Sequence, residues 1–399
     1  MERKKRIEDI FLKYCKKRTK VTSLKPVFFI THKLKNTYHN SNNRLQMLKI
    51  TTGKKIIVGL TLFLPSFIKL LVYRALGATI GKNMHIGLGS YIFAEKITLG
   101  QGASIGNSVH IVCKEIVVDE DAIIASEVVI GGESGCHIGK RCYIGQRAHI
   151  NVAEQVVLED DVGLGGDIYT HGVWPPYTEG YPRKFAPVLI KRGAWIPPNT
   201  TILPGVTIGE EAMIGTGAVV TKSIPRRAFA IGVPARVVKS VDAIQVKLTS
   251  TQKEARIKEI LDDFRRWIGD NMPTEGNVEV GDFEFALVAT KKSLLKTKRW
   301  ALYYTSENVT PELVQRLFSL KNTFTRMTIL ALRGIDFESL KRLSQDLMIY
   351  EFFDFVELEN LSYKSNRNDF FHLLHGFLRS YYGVRLKSKS SRTPEKGTQ

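Results

Sequence analysis

From Ile80 to Val220 an aliphatic residue returns every six positions, and this period constrains the fold more than any other feature of the chain. The register runs Ile80, Ile86, Ile92, then Leu99, Ile105, Ile111, then Val118, Ile124, Ile130, then Ile138, Ile144, Ile150. It continues through Leu158 and Leu164, breaks, and resumes at Ile190, Ile196, Ile202, Ile208, Ile214 and Val220. A period of six is neither helical nor a simple alternation, so it is read as an internal repeat. Each hexapeptide is then a short strand and a turn, with its aliphatic residue pointing inward. One strand cannot bury that residue alone, so the coils must stack. Positions six apart come in threes, followed by a longer step: Ile92 to Leu99, Ile111 to Val118, Ile130 to Ile138, Ile150 to Leu158. Three strands therefore make one coil of a triangular prism, and the surplus residues fall at one corner.

The break in the register is where the chemistry is expected. Six positions after Leu164 comes Thr170, read as the next inward position, and His171 follows. The chain then leaves the prism for about nineteen residues, through Trp174, Pro175, Pro176, Tyr177 and Pro187, and re-enters at Ile190. A loop of this length is usually functional. It leaves from the corner that holds the surplus residues, and one coil earlier that corner is Ile150-Asn151. Stacked strands lie ~4.8 Å apart, so the register sets Asn151 beside His171. Imidazole titrates near neutrality, which suits His171 to act as a general base. The plainer alternatives are a loop His held by a backbone carbonyl and a corner Asn that stabilises a turn. His149 falls next to Asn151 and is a candidate for lining the same pocket.

The stretch from Trp195 to Val238, WIPPNTTILPGVTIGEEAMIGTGAVVTKSIPRRAFAIGVPARVV, resembles the hexapeptide-repeat acyltransferases, in particular the maltose, galactoside and exopolysaccharide (colanic-acid-type) O-acetyltransferases. The resemblance covers roughly residues 56–240 and is carried by the repeats, the Thr221-Lys222 pair, the Gly-Val-Pro-Ala-Arg ending and the His-bearing loop before them. It implies a left-handed parallel β-helix, acetyl-CoA as acyl donor, a homotrimer, and a coenzyme groove between neighbouring subunits. It implies catalysis at His171 and acceptor binding at Asn151. For the donor it implies Pro198, Gly215, Thr216, Gly217, Thr221, Lys222 and Arg236. The glycines would allow close approach of the pantetheine arm, and the two basic residues would pair with phosphates. Where the family has Trp-Ile-Gly-Ala or similar, this chain has Trp195-Ile196-Pro197-Pro198, which removes two backbone donors. The γ-class carbonic anhydrases, a related β-helix family, bind zinc through His residues that include a pair five apart. His85, His110, His137 and His149 include no such pair, and Cys136 and Cys142 are six apart on different faces, so no metal is expected.

The 399 residues accommodate more than one domain. The net charge of +19 is uneven: residues 1–55 hold 16 Lys and Arg against 3 acids, or +13. Ile56 to Leu71, IIVGLTLFLPSFIKLL, is too short and too interrupted by Pro65 and Lys69 for a membrane span. It reads as an apolar helix, and two roles stay open. It caps the open end of the β-helix, as the family resemblance suggests through Arg74-x-x-Gly-Ala-x-Ile-Gly, or it lies on a membrane surface beside its polybasic flank. The charge is not accompanied by a nucleic-acid recognition motif. Four Cys without a paired framework and no cleavable signal peptide point to a cytoplasmic protein, with peripheral contact at the inner face of the membrane left open.

The expected architecture is therefore mainly β. It has a basic N-terminal region (1–55), an apolar helix (56–76), a left-handed β-helix (77–240), a small α/β domain (241–386) and a disordered basic tail (387–399). In the α/β domain, helices are expected over Thr251–Asn271, Pro311–Leu320, Asp336–Leu347 and Asp369–Tyr382, and strands over Phe283–Ala289, Trp300–Tyr304 and Met327–Leu332. The expected function is acyl-CoA-dependent O-acylation of a sugar hydroxyl, free or lipid-linked, in polysaccharide or glycolipid assembly. A non-enzymatic β-helix scaffold and N-acylation of an amino sugar are the competing readings, and a base at His171 does not separate O- from N-transfer.

Overall fold

The computed structural model describes residues 57–173 and 176–270 continuously, and much of 274–388 in shorter stretches. The basic segment 1–55, Trp174, Pro175 and the tail beyond Ser388 lie outside the described residues. Lys387 and Ser388, assigned to the tail by sequence, instead form a strand paired with Ser362 and Tyr363.

Residues 79–231 wind as a three-sided parallel β-helix, and the aliphatic register stacks in three columns. Ile80, Leu99, Val118, Ile138, Leu158, Ile190 and Ile208 align along one face. Ile86, Ile105, Ile124, Ile144, Leu164 and Ile196 align along the second. All of these except Ile80 are buried. The corners have their own rule, which the six-residue period does not show. Three residues after the inward position the backbone turns left-handed, at Asn83 (φ 54°), Asp121 (56°), Arg141 (57°), Asp161 (63°) and Asn199 (61°). One residue later a buried side chain fills the corner: Met84, Ala122, Cys142, Val162 and Thr200.

The third column corrects the sequence reading. It runs Ile92, Ile111, Ile130, Ile150, Ile168, Ile202 and Val220, so the residue above Ile150 is Ile168 and not Thr170. The corner after Leu164 is two residues shorter than its neighbours because Gly165 and Gly166 cut across it. A Cβ on Gly165 would lie 2.8 Å from the Pro198 nitrogen, and one on Gly166 2.3 Å from the Thr200 carbonyl oxygen. Only glycine lets the chain pass that close. The long excursion to Ile190 therefore starts two residues earlier than the period suggests. A second irregularity sits at Pro197. In this ladder the residue after each inward position donates to the coil above, as Gly165 N does to the Ile196 carbonyl (2.7 Å). Pro197 has no N–H, and the strand pairing there shrinks to Trp195 with Met213.

The apolar segment caps the open N-terminal end. Its helix, Ser66–Ala75, buries Lys69, Leu70 and Tyr73, with Leu70 and Tyr73 joining the prism core. It also satisfies edge groups of the first coil. Ser66 Oγ accepts from Ile86 N (2.9 Å), Tyr73 Oη accepts from Ile92 N (2.7 Å), and Lys69 Nζ donates to the carbonyls of Gly87 (2.6 Å) and Ser90 (3.2 Å). At the other end Arg236–Ser240 pairs antiparallel with Ala228–Ile231 and closes the second face. The chain then forms the helix Ser250–Gly269, started by a Thr249/Gln252 capping box. Beyond it lies a seven-stranded sheet whose strands follow chain order, with Thr297–Thr305, Arg326–Ala331 and Phe353–Glu357 parallel in the middle. Helices cover both faces: Ser250–Gly269 and Asp369–Tyr382 on one, Pro311–Phe318 on the other.

Ile124 has no exposed surface and sits mid-column. Ile124→Ala is expected to lower the unfolding free energy by about 2–5 kcal/mol, measured by denaturant titration. Burial lowers the Lys69 pKa from its ordinary 10.5. In the window below 10.5 the unfolded chain therefore binds more protons than the folded one, and stability rises with pH. Wild type should gain stability relative to Lys69→Met as pH is raised through that window, in paired melts across an alkaline series.

Candidate functional site

The site is built where the chain leaves the third face. His171–Val173 runs outward and pairs antiparallel with the returning Arg183–Phe185, with His171 opposite Phe185 and Gly172 opposite Lys184. The loop thus has a two-stranded root that fixes the backbone of His171. The Phe185 ring stacks on the imidazole at 5.6 Å between centroids. Farther out, the Arg183 guanidinium lies 4.8 Å from the Tyr177 ring. The hairpin leans on the next coil, since a Cβ on Gly205 would lie 3.1 Å from Ala186 Cβ and 3.5 Å from Lys184 Cε.

Asn151 and His171 are brought together: Asn151 Oδ1 is 2.8 Å from His171 Nδ1. The same oxygen accepts from Ala153 N (3.3 Å) and lies 2.9 Å from Thr170 Oγ1. Thr170 is wholly buried, and its oxygen accepts from Glu154 N at 3.0 Å. These partners require an acceptor atom at Asn151 Oδ1, which fixes the orientation of the amide. An acceptor facing Nδ1 places the proton on Nδ1 and leaves the Nε2 lone pair free. The half-buried imidazole is thus held from below by Asn151 and from the side by Phe185, with one nitrogen available to remove a proton.

His149 stands two residues before Asn151 on the same strand but does not join this set. Its backbone N–H donates to Asp167 Oδ1 (2.9 Å), its ring lies 5.7 Å from that of Tyr169, and its buried Nδ1 makes no hydrogen bond. The residues assigned to the donor divide between two corners of the prism. Pro198 sits over Gly165, and Gly215, Thr216 and Gly217 follow one coil above at the corner between the second and third faces. Thr221 and Lys222 follow Val220, at the corner from which His171 departs. Thr216, Gly217, Lys222 and Arg236 are exposed. Gly215 has a structural reason of its own, because a Cβ there would lie 2.5 Å from Ile231 Cγ2. Within one chain the two groups flank the third face and do not converge on His171.

Sequence reasoning missed Phe185, Lys184, Thr170 as a hydrogen-bonding group, and Tyr169. The first two sit on the returning limb of the loop, where the six-residue register gives no signal. The alternation of Arg183, Lys184 and Phe185 is too short to read as a strand.

Residues 187–222 match the family profile described as bacterial transferase hexapeptide (six repeats). A Staphylococcus aureus (strain Mu50) protein provisionally named as an acetyltransferase is 47% identical over 64 residues, 16% of this chain and 32% of the relative. The galactoside O-acetyltransferase of Escherichia coli is 30% identical over 129 residues, 31% of this chain and 64% of that enzyme. The chain thus spans about a third of the first relative's length and just under two thirds of the second's. A hexapeptide-repeat acetyltransferase of Vibrio cholerae, solved with acetyl coenzyme A, aligns over 47% of this chain and 85% of its own at 19% identity, with a TM-score of 0.28. Residues 187–222 of the β-helix thus carry the bacterial transferase hexapeptide repeat.

Proposed function

We propose that the chain is an acyl-CoA-dependent O-acyltransferase that moves an acetyl group onto a sugar hydroxyl. The observation that carries this reading is the Asn151 Oδ1 to His171 Nδ1 contact of 2.8 Å at the root of the long loop. It sets the tautomer that leaves Nε2 as a base. Nε2 takes the acceptor's hydroxyl proton as the oxygen attacks the thioester carbonyl. When the tetrahedral intermediate collapses, the C–S bond breaks and the proton returns from Nε2 to the departing sulfur. The loop residues Tyr177 and Arg183 supply an aromatic face and donors near a polyhydroxylated acceptor. Pro198, Gly215, Thr216, Gly217, Thr221, Lys222 and Arg236 are the donor-binding candidates. Their division between two corners favours a groove completed by a second copy of the chain, consistent with a trimer. A sugar hydroxyl is preferred to an amine because the matched Escherichia coli relative is a galactoside O-acetyltransferase. Our reading assigns the work to polysaccharide or glycolipid assembly, and the free buried thiols of Cys113, Cys136 and Cys142 are compatible with a reducing compartment.

Thiol release from acetyl-CoA, followed over a panel of free and lipid-linked sugars, tests the reaction. Wild type should show acceptor-dependent release and His171→Ala should lose ~10²-fold or more. Absence of both release and acetyl-CoA binding by calorimetry would instead support a scaffold. A second expectation separates two roles for Asn151. If it orients the base, Asn151→Ala lowers kcat by ~10²-fold, as misplacement of a reacting group does, with KM nearly unchanged. If it chiefly holds the acceptor, KM for the sugar rises instead.

A further inference from the structure

We infer that the outer face of the capping helix docks on an anionic lipid bilayer through its apolar side chains, the occupant being selected by the positive charge of the sequence that precedes it. The inference is independent of acyl transfer and rests on two observations. The first is a helix that is apolar on both sides. Its inner side is buried on the prism through Leu70 and Tyr73. On its outer side Phe67 is 64% exposed and Leu71 60%, and in the segment that leads into it Leu60 is 75% exposed and Phe63 81%. Phe67 and Leu71 are four apart on the helix, the spacing that lines side chains along one face, and Phe63 is exposed in the turn just before it. Leu88 of the first coil, also exposed, adjoins them where Gly89 N donates to the Leu62 carbonyl (2.8 Å). Scattered apolar residues at a surface need no explanation, but a contiguous stripe of large ones marks a surface covered in use.

The second observation is charge. The 55 residues leading into this stripe carry 16 basic groups against 3 acidic ones. That balance selects the occupant. Two copies meeting through the stripe would bring +13 against +13. A nucleic acid would be drawn by the charge but has no use for Phe63, Phe67 and Leu71. A leaflet with anionic headgroups uses both: the apolar side chains enter the headgroup–acyl boundary, and the positive charge of the chain is attracted to the surface. Among the described residues no helix is long and apolar enough to cross a membrane, so the contact is at the surface.

The test uses the full chain at about 0.15 M salt, sedimented with vesicles of phosphatidylcholine alone or mixed with phosphatidylserine. Neither acetyl-CoA nor a sugar is present, so failure here is distinct from failure of the acyl-transfer reading. Wild type should bind the mixed vesicles ~10-fold or more tightly than the neutral ones. The combined variant Phe63→Ser, Phe67→Ser, Leu71→Ser should lose most of that binding with its thermal unfolding unchanged, since all three side chains are exposed. In a second variant, Phe67→Trp, indole emission should be quenched by lipids brominated on their acyl chains. Each of three results would overturn the proposal: no binding of wild type to anionic vesicles, unchanged binding by the triple variant, or no quenching at position 67. A self-association abolished by the triple variant, without an effect on vesicles, would assign the stripe to a second copy.

Discussion

Everything in the β-helix depends on one constraint: each coil leaves a row of backbone donors and acceptors that only another coil, or a substitute for one, can satisfy. Burial of the inward Ile, Leu and Val residues drives the stacking, but the ladder sets the pitch and makes every coil copy the one below. Departures from the repeat are therefore confined. A coil can lose residues at a corner or extrude a loop there, provided the strands on either side stay in register. The site is built from such permitted departures. Gly165 and Gly166 shorten one corner, Ile168 comes into register early, and the chain leaves the third face as a loop that returns at Pro187–Ile190.

The early exit decides what His171 can do. Had Thr170 been the inward residue, its hydroxyl would face the aliphatic core. Instead Thr170 lies past the strand, buried against Asn151, accepting from Glu154 N while its hydroxyl faces Asn151 oxygens. The next residue then stands at the mouth of the corner with Nδ1 over Asn151 Oδ1. One amide oxygen thereby serves the corner turn through Ala153 N, the buried threonine and the imidazole. Satisfying buried polar groups and orienting the imidazole are the same set of contacts.

This explains how much was legible in the sequence. The columns could be read because burial enforces aliphatic side chains at a fixed period, and the corner that opens could be read because the period slips there. The pairing of Asn151 with His171 followed from that slip even though the register assumed for Thr170 was two residues out. What could not be read is where a polar residue is spent on backbone groups. Lys69 looks like an interruption in an apolar helix, yet it is buried and donates to two carbonyls of the first coil. The strand Phe353–Glu357 was missed for a similar reason. Asp354 breaks its apolar run, and only the fold shows that Asp354 is buried against the Arg326 guanidinium at 3.0 Å on the neighbouring strand.

The two ends of the prism meet the same constraint in different ways, and the difference bears on what each end can be used for. The C-terminal end is closed with backbone, by an antiparallel strand that continues the ladder of the second face. Such a closure needs no particular side chains, which leaves Lys239 free to lie over the Phe229 ring and Arg236 exposed at the edge. The N-terminal end is closed with side chains, by Ser66, Lys69 and Tyr73 projecting from one side of a helix. A helix used in this way is fixed on its inner side only. Its sequence is then free on the outer side, where a cap without further purpose would carry polar residues. Phe67 and Leu71 stand there instead, with Leu60 and Phe63 exposed in the segment just before the helix, and this is the face proposed above to meet a bilayer.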